Sequence, residues 1–266
     1  MGRIRLTQVF PFLIPLRQKQ RKLFFYSKMK FDNNDYAIEL QNGFLKYQIY
    51  QSEEKMINET SGYDLEYQYN KVYNLKLAAQ VLNRLVIKPN ETFSFWNIMR
   101  NADKDIPFKN GLNLVDGKIK ESYGGGLCQL SNLLYWVFLH SPLTAIERSA
   151  HEVESFPHQD DKIYGTDATV SEGWLDLKMF NSTNATFQIL IDFPDDNIRI
   201  RLLSNLQQDS MYQIYNTDNI VYQENNKHYR KVSVWKSQIN LFNKRKTDHF
   251  LYTDKVEIGY KIEGGS

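Results

Sequence analysis

Gly124-Gly125-Gly126-Leu127-Cys128-Gln129-Leu130-Ser131-Asn132-Leu133-Leu134-Tyr135-Trp136-Val137-Phe138-Leu139-His140-Ser141-Pro142 is the stretch on which the fold turns. From Leu127 to about His140 the apolar residues leave almost no polar face, the pattern of a helix buried on all sides. Ser141-Pro142 stops it, because the residue before a proline is driven out of the helical region. The helix starts directly behind three glycines, which strip side chains from the preceding turn and permit unusual backbone angles.

Upstream, Leu75, Ala78, Ala79, Leu82, Leu85 and Val86 recur at three- and four-residue steps and predict an amphipathic helix. Lys88-Pro89-Asn90 is its expected end. Glu91 to Phe95 reads as a strand. Phe108 to Val115 and Lys118 to Tyr123 read as strand fragments around a turn at Asp116-Gly117. Asn33 to about Tyr63 is polar and weakly periodic, so irregular structure with one short helix is expected there.

Downstream the chain is strand-rich. Thr144 to Ala150 leaves the buried helix as a strand. In Trp174 to Phe180, Leu175, Leu177 and Met179 alternate with Asp176 and Lys178. Phe187 to Phe193 and Ile198 to Leu202 follow. Asn225-Asn226 marks a hairpin between Val221-Tyr222 and His228 to Trp235, since asparagine tolerates the left-handed turn. The expected fold class is α+β: the buried helix and the amphipathic helix packed on a mostly antiparallel sheet, with a strand-rich C-terminal third. The expected segments are a basic arm at 1–30, a polar segment at 31–72, a core domain at 73–195 and a β-rich extension at 196–266.

A net charge of +2 is too mild to predict a nucleic-acid partner. The single cysteine excludes an internal disulfide and a multi-cysteine zinc site, and no metal or cofactor is expected. No apolar run approaches the roughly 20 residues that span a bilayer. The opening has arginines at 3 and 5, the apolar Val9 to Leu16, then Arg17, Lys19, Arg21 and Lys22. Prolines interrupt the apolar run and a small-residue cleavage site is missing, so no signal peptide is read there. Two readings stand: an arm on the protein's own surface, or an arm in peripheral contact with an anionic membrane.

The glycine run and the free N–H groups of the following helix can converge on one negative oxygen, either phosphate or the oxyanion of acyl transfer. No lysine followed by serine or threonine comes after the glycines, which excludes a Walker loop. A tightly packed turn would use the same glycines. Cys128 falls at the second residue of the helix, where the helix dipole favours a thiolate. It reads either as a nucleophile or as a buried small hydrophobe. Among the histidines, His140 suits a helix cap, and His228 and His249 lie in the polar C-terminal third. His151 stands where a returning strand would bring it back to the helix start, and His158 is an alternative. Asp167 and Asp176 are candidates to orient the base.

Glu91-Thr92-Phe93-Ser94-Phe95, the stretch from Gly124 to Trp136, His140 to Thr144, Glu147-Arg148, His151, Gly165 to Val170 and Asp176 to Asn181 together resemble the VanW family. That family takes its name from an accessory protein of vancomycin-resistance clusters. The resemblance runs from about Leu75 to Phe193. It implies a peptidoglycan L,D-transpeptidase type of chemistry with Cys128 as nucleophile and His151 as its acid–base partner. Gly124, Gly125, Gly126, Gln129 and Ser131 would supply the oxyanion and substrate contacts, and Asp167 would orient His151. The implied partner is a peptidoglycan stem peptide or precursor, which places the work outside the cytoplasm, whereas the missing signal peptide predicts a cytoplasmic or membrane-associated protein. Glu152 and Asn132 depart from the serine and threonine common at those positions. The alternative is an accessory protein that binds a cell-wall precursor or partner without chemistry.

Overall fold

The computed structural model describes residues 10–58, 63–115, 118–155 and 163–260. It is an α+β fold. A 3-10 turn, Pro11–Leu13, leads into α1 (Ile14–Phe31); α2 is Leu65–Leu82, α3 is Phe95–Met99 and α4 is Leu127–Leu139. The strands are β1 (Asp35–Tyr36), β2 (Tyr47–Lys55), β3 (Val86–Ile87), β4 (Glu91–Ser94), β5 (Asn110–Val115), β6 (Lys118–Tyr123), β7 (Thr144–Glu147), β8 (Val153–Glu154), β9 (Lys178–Phe180), β10 (Phe187–Asp192), β11 (Asn197–Ser204), β12 (Ser210–Glu224), β13 (Lys227–Asn240) and β14 (Lys246–Ile258).

The strands do not form one sheet. They divide into three four-stranded sheets, ordered β1-β4-β9-β7, β2-β11-β10-β3 and β12-β13-β14-β8, with β5-β6 as a separate hairpin. Pairing is antiparallel except between β1 and β4 and between β14 and β8. The core gathers around α4, which packs on α2, β2, β11 and β12. Leu130, Leu133, Leu134, Tyr135, Val137 and Phe138 of α4 are all sealed from solvent. Burying one such side chain contributes about 1.5–3 kcal/mol, so the apolar surface of this helix is the main stabilising feature at the centre of the molecule.

Several expectations need correction. The basic N-terminal segment is a full helix, α1, lying on the body through Tyr26 and Met29. The polar segment after it holds strands β1 and β2 rather than irregular structure and a short helix. β2 pairs with a neighbour only through β11, so it stands at the sheet edge and keeps polar side chains. α2 begins nearly three turns earlier than its apolar stripe, at an Asp64 cap that accepts from Glu66 N–H. It ends at Leu82, not at the Lys88-Pro89 step. Arg84 adopts the left-handed conformation that closes helices, and Val86–Ile87 pairs with β10 instead.

The strand expected over Trp174 to Phe180 is present only as β9. Its polar residues do not face solvent. Asp176 is fully buried, accepting from Ser94 Oγ at 2.6 Å and Trp96 N–H at 3.0 Å, and thereby fixes the start of α3. Lys178 is buried against Glu147 at 3.1 Å and Asp32 at 3.5 Å. Asn225 and Asn226 both take positive φ between β12 and β13, as a two-residue hairpin turn requires. The turn placed at Asp116-Gly117 lies outside the described residues. β10 and β11 pair with each other, so the boundary drawn between 195 and 196 falls inside a hairpin of the core sheet.

Candidate active site

The glycine turn is built for close approach. A Cβ on Gly125 would sit 2.3 Å from the carbonyl carbon of Gly111 in β5. Gly126, with φ near +98°, is the N-cap of α4, and a Cβ there would run into the stem of Lys71. Fully buried Asn74 of α2 holds the arrangement, donating to Gly125 O and to Lys109 O, both at 2.9 Å. The glycines are therefore required by packing, and the backbone they free faces the start of α4. The N–H groups of Leu127 and Cys128 lie in the first turn, where the helix offers them no internal acceptor.

Cys128, the second residue of α4, is partly exposed. Its Sγ lies 3.4 Å from Thr169 Oγ1 and 3.6 Å from Val170 O. His151 follows β7 and stands close enough to Cys128 to act on the charge of its thiol. Its Nδ1 lies 2.6 Å from Asp167 Oδ2, which also accepts from the His151 backbone N–H at 2.6 Å. Nε2 is thus the ring nitrogen left to serve sulfur. The three groups stand in sequence: the carboxylate bonded to the imidazole, and the imidazole acting on the thiol.

Their charges reinforce one another. Burial pushes the Cys128 thiol up, but the hydrogen bond and charge of His151, with Thr169 behind them, outweigh it and hold the thiol below its ordinary value. Burial disfavours the charged imidazole, yet Asp167 and Cys128 together raise His151 to about 10. Burial likewise pushes the Asp167 carboxyl up, and His151 and Arg148 bring it below its usual range. At neutral pH His151 is therefore an imidazolium, set between the Asp167 carboxylate and a thiol that it draws toward the thiolate.

Arg148 sets the position of Asp167. Its guanidinium donates to Asp167 O at 2.5 Å and to Gly165 O at 2.8 Å, and rests over the Tyr252 ring. Tyr252 Oη also donates to Gly165 O, at 3.0 Å. Lysine cannot span two carbonyls as the guanidinium fork does. Arg148→Lys is expected to cost about 2 kcal/mol of stability, read in urea unfolding, with a matching loss of Cys128 reactivity as Asp167 loosens.

The other expected contacts divide. Ser131 does not face the site: it is fully buried, donating to Ala168 O at 2.6 Å, so it fixes the stretch that carries Asp167 and Thr169. Asn132 Oδ1 accepts from Ala168 N–H at 2.7 Å in the same joint. Gln129 Nε2 donates to Lys55 O at 2.8 Å and ties the end of β2 to α4, while its buried Oε1 has no partner among the described residues. His140 caps α4, with Nδ1 2.9 Å from Trp136 O and its ring stacked on Tyr50. His228 and His249 lie in the β12–β13–β14 sheet, at the far end of β13 and on β14, and His158 lies outside the described residues. Asp176 serves α3 and does not orient His151.

Lys71 was not singled out by sequence. Its stem covers Gly126, and burial draws its ammonium down to about 8, opposed by Glu54. The signal was there: 71 falls on the buried stripe of α2, four residues before Leu75, where a cation is out of place.

A profile for VanW like protein matches residues 70–203, the span that contains this arrangement. The Vancomycin B-type resistance protein VanW of Enterococcus faecalis is 46% identical over 264 residues, covering 98% of this chain and 96% of that protein. The chain belongs to the VanW family. Within that family likeness, the uncharacterized protein YoaR of Bacillus subtilis is 32% identical over 115 residues, which is 43% of this chain and 37% of YoaR. No solved structure matches. The VanW profile ends at 203, one residue short of the end of β11 and well past the 195 boundary.

Proposed function

We propose that this VanW-family protein is a cysteine-dependent acyl transferase of the peptidoglycan L,D-transpeptidase type, serving glycopeptide resistance through the cell wall. The observation that supports it most is the Asp167–His151 hydrogen bond set beside Cys128 at the N-terminus of α4, with the thiol held below its ordinary value. A thiolate, an imidazolium and a first-turn N–H cluster are the three parts that acyl transfer uses.

The sequence of events follows from their roles. Cys128 Sγ attacks the carbonyl carbon of a donor stem peptide, and the oxyanion forms against the N–H groups at Gly126 to Cys128. The carbon–nitrogen bond breaks as His151 gives its proton to the departing amine, leaving a thioester. An acceptor amine then attacks the thioester. His151 takes the proton from that amine, and the thiolate leaves. Lys71 adds positive charge beside the turn, suited to a substrate carboxylate.

Iodoacetamide tests the reading. The native protein at pH 7 is expected to be alkylated at Cys128 about tenfold faster than a free thiol, because His151 shifts the thiol toward its ionised form. Purified protein given donor and acceptor stem peptides is expected to form a cross-link that Cys128→Ser does not. Alkylation seen only after denaturation, or a resistance phenotype fully restored by Cys128→Ser, would leave the accessory-binding reading in its place.

A further inference from the structure

We infer that α1 is a membrane-surface helix that docks the protein on an anionic phospholipid bilayer and holds the Cys128 site beside it. α1 has two apolar faces. Tyr26 and Met29 point to the body and are buried. The opposite side carries Leu16, Leu23, Phe24 and Phe31, which are 65%, 68%, 66% and 82% exposed. Leu16 and Leu23 are seven apart, as are Phe24 and Phe31, so they form two adjoining rows along the helix. Arg17, Arg21 and Lys28 run along one flank of these rows, and Lys19 and Lys30 along the other.

The charge pattern selects the occupant. Between Ile14 and Phe31 there are six cations and no carboxylate. The whole chain is only +2, so the remainder is net acidic. A second copy of the chain would bring the same cations against α1, and a neutral apolar partner would leave them unpaired. An outward apolar row between two cationic flanks matches a surface of anionic headgroups over acyl chains. Among the described residues no helix is long and apolar enough to cross a membrane, so α1 lies on the surface and does not span it.

Trp174 extends the same face. It is 64% exposed, and the Arg21 guanidinium rests 4.2 Å above its ring. Tryptophan beside cations is the composition of a membrane-interface belt. Glu172 accepts from Tyr26 Oη at 2.9 Å and pairs with Lys22, while Gly173 lets the backbone press against Lys22. One continuous stretch thus runs from Asp167, through Thr169 and Val170 at the sulfur, to the residues that seat α1. Docking the helix fixes the height of the site above the bilayer. The docking does not depend on any chemistry at Cys128.

The test is flotation of the full chain with vesicles of phosphatidylcholine alone, or with one third phosphatidylglycerol. Binding is expected on the anionic vesicles only, weakening as salt is raised. Leu23→Ser with Phe24→Ser, and separately Arg17→Glu with Lys28→Glu, should each lower the partition coefficient about tenfold or more while leaving the melting temperature in place. Vesicles should shift tryptophan emission to the blue in the parent and much less in Trp174→Phe. Cys128→Ser should float as the parent does, which separates this proposal from the acyl-transfer reading. Failure to float, equal binding to both vesicles, or binding unchanged in both double variants overturns it.

Discussion

His151→Ala is expected to lower acyl transfer about 10³-fold or more and to slow Cys128 alkylation at pH 7 about 30-fold. The two losses have different sources. Without His151, burial is left as the main influence on the thiol and pushes it up, so only a few per cent or less remains ionised at neutral pH. Transfer also loses the group that protonates the departing amine. The pH dependence carries the diagnostic sign. In the parent, the thiol lies below its ordinary value and His151 near 10, so the ion pair forms at lower pH than an unassisted thiol would ionise. It is lost as pH falls through the thiol's depressed value, and again as pH rises through about 10. Alkylation should therefore begin to rise at lower pH in the parent than in a free thiol. In His151→Ala it should climb steeply toward alkaline pH, as an ordinary thiol does. Asp167→Asn is the graded case: it keeps a partner for Nδ1 but removes the charge that holds the imidazolium, so the upper limb moves down in pH. A profile for His151→Ala that overlays the parent would remove His151 from the chemistry.

Gly125→Ala should destabilise the fold by about 3 kcal/mol or more. The added methyl meets the Gly111 backbone, at 2.3 Å from C, 2.4 Å from Cα and 2.7 Å from O. Backbone cannot swing aside as a flexible side chain can, and Asn74 pins both sides of the contact by bonding Gly125 O and Lys109. For a chain of this length the loss corresponds to about a 10 °C fall in melting temperature. The same displacement moves the first turn of α4, so Cys128 reactivity should fall with it. Gly43→Ala is the control: its Cβ would meet only Gln41 Nε2, at 3.9 Å, and the melt should barely change.

The legible parts of this fold are those whose signal is local. α4 declares itself because its apolar run has no polar face and stops at Ser141-Pro142. The β12–β13 hairpin declares itself through Asn225-Asn226. α1 hides because its inward and outward apolar rows cancel any one-sided periodicity. β2 hides because an edge strand needs few apolar residues. The early turns of α2 hide because the residues buried before the apolar stripe begins, Gln68 and Asn74, are both polar. At the site, the sequence points to Cys128, His151 and Asp167; the structure bonds His151 to Asp167 and sets them beside the sulfur. The same reading sends Ser131 toward substrate, although its hydroxyl is used inside the joint to Ala168. Whether a short polar side chain faces a cleft or a backbone carbonyl is decided by tertiary packing, and no spacing rule reports it.

The parallel pairing of β8 with β14 sets an order of events during synthesis. Val153 and Glu154, immediately after His151, are held by Glu257 and Ile258, and Arg148 is held by Asp254. Tyr252 reaches the Gly165 carbonyl from the same strand. Cys128 and His151 leave the ribosome roughly a hundred residues before the strand that fixes them, a delay of several seconds at ordinary elongation rates. Until β14 arrives, the thiol sits on a growing chain without its imidazolium in register. The nascent protein thus reaches the final geometry around Cys128 only when its last sheet closes.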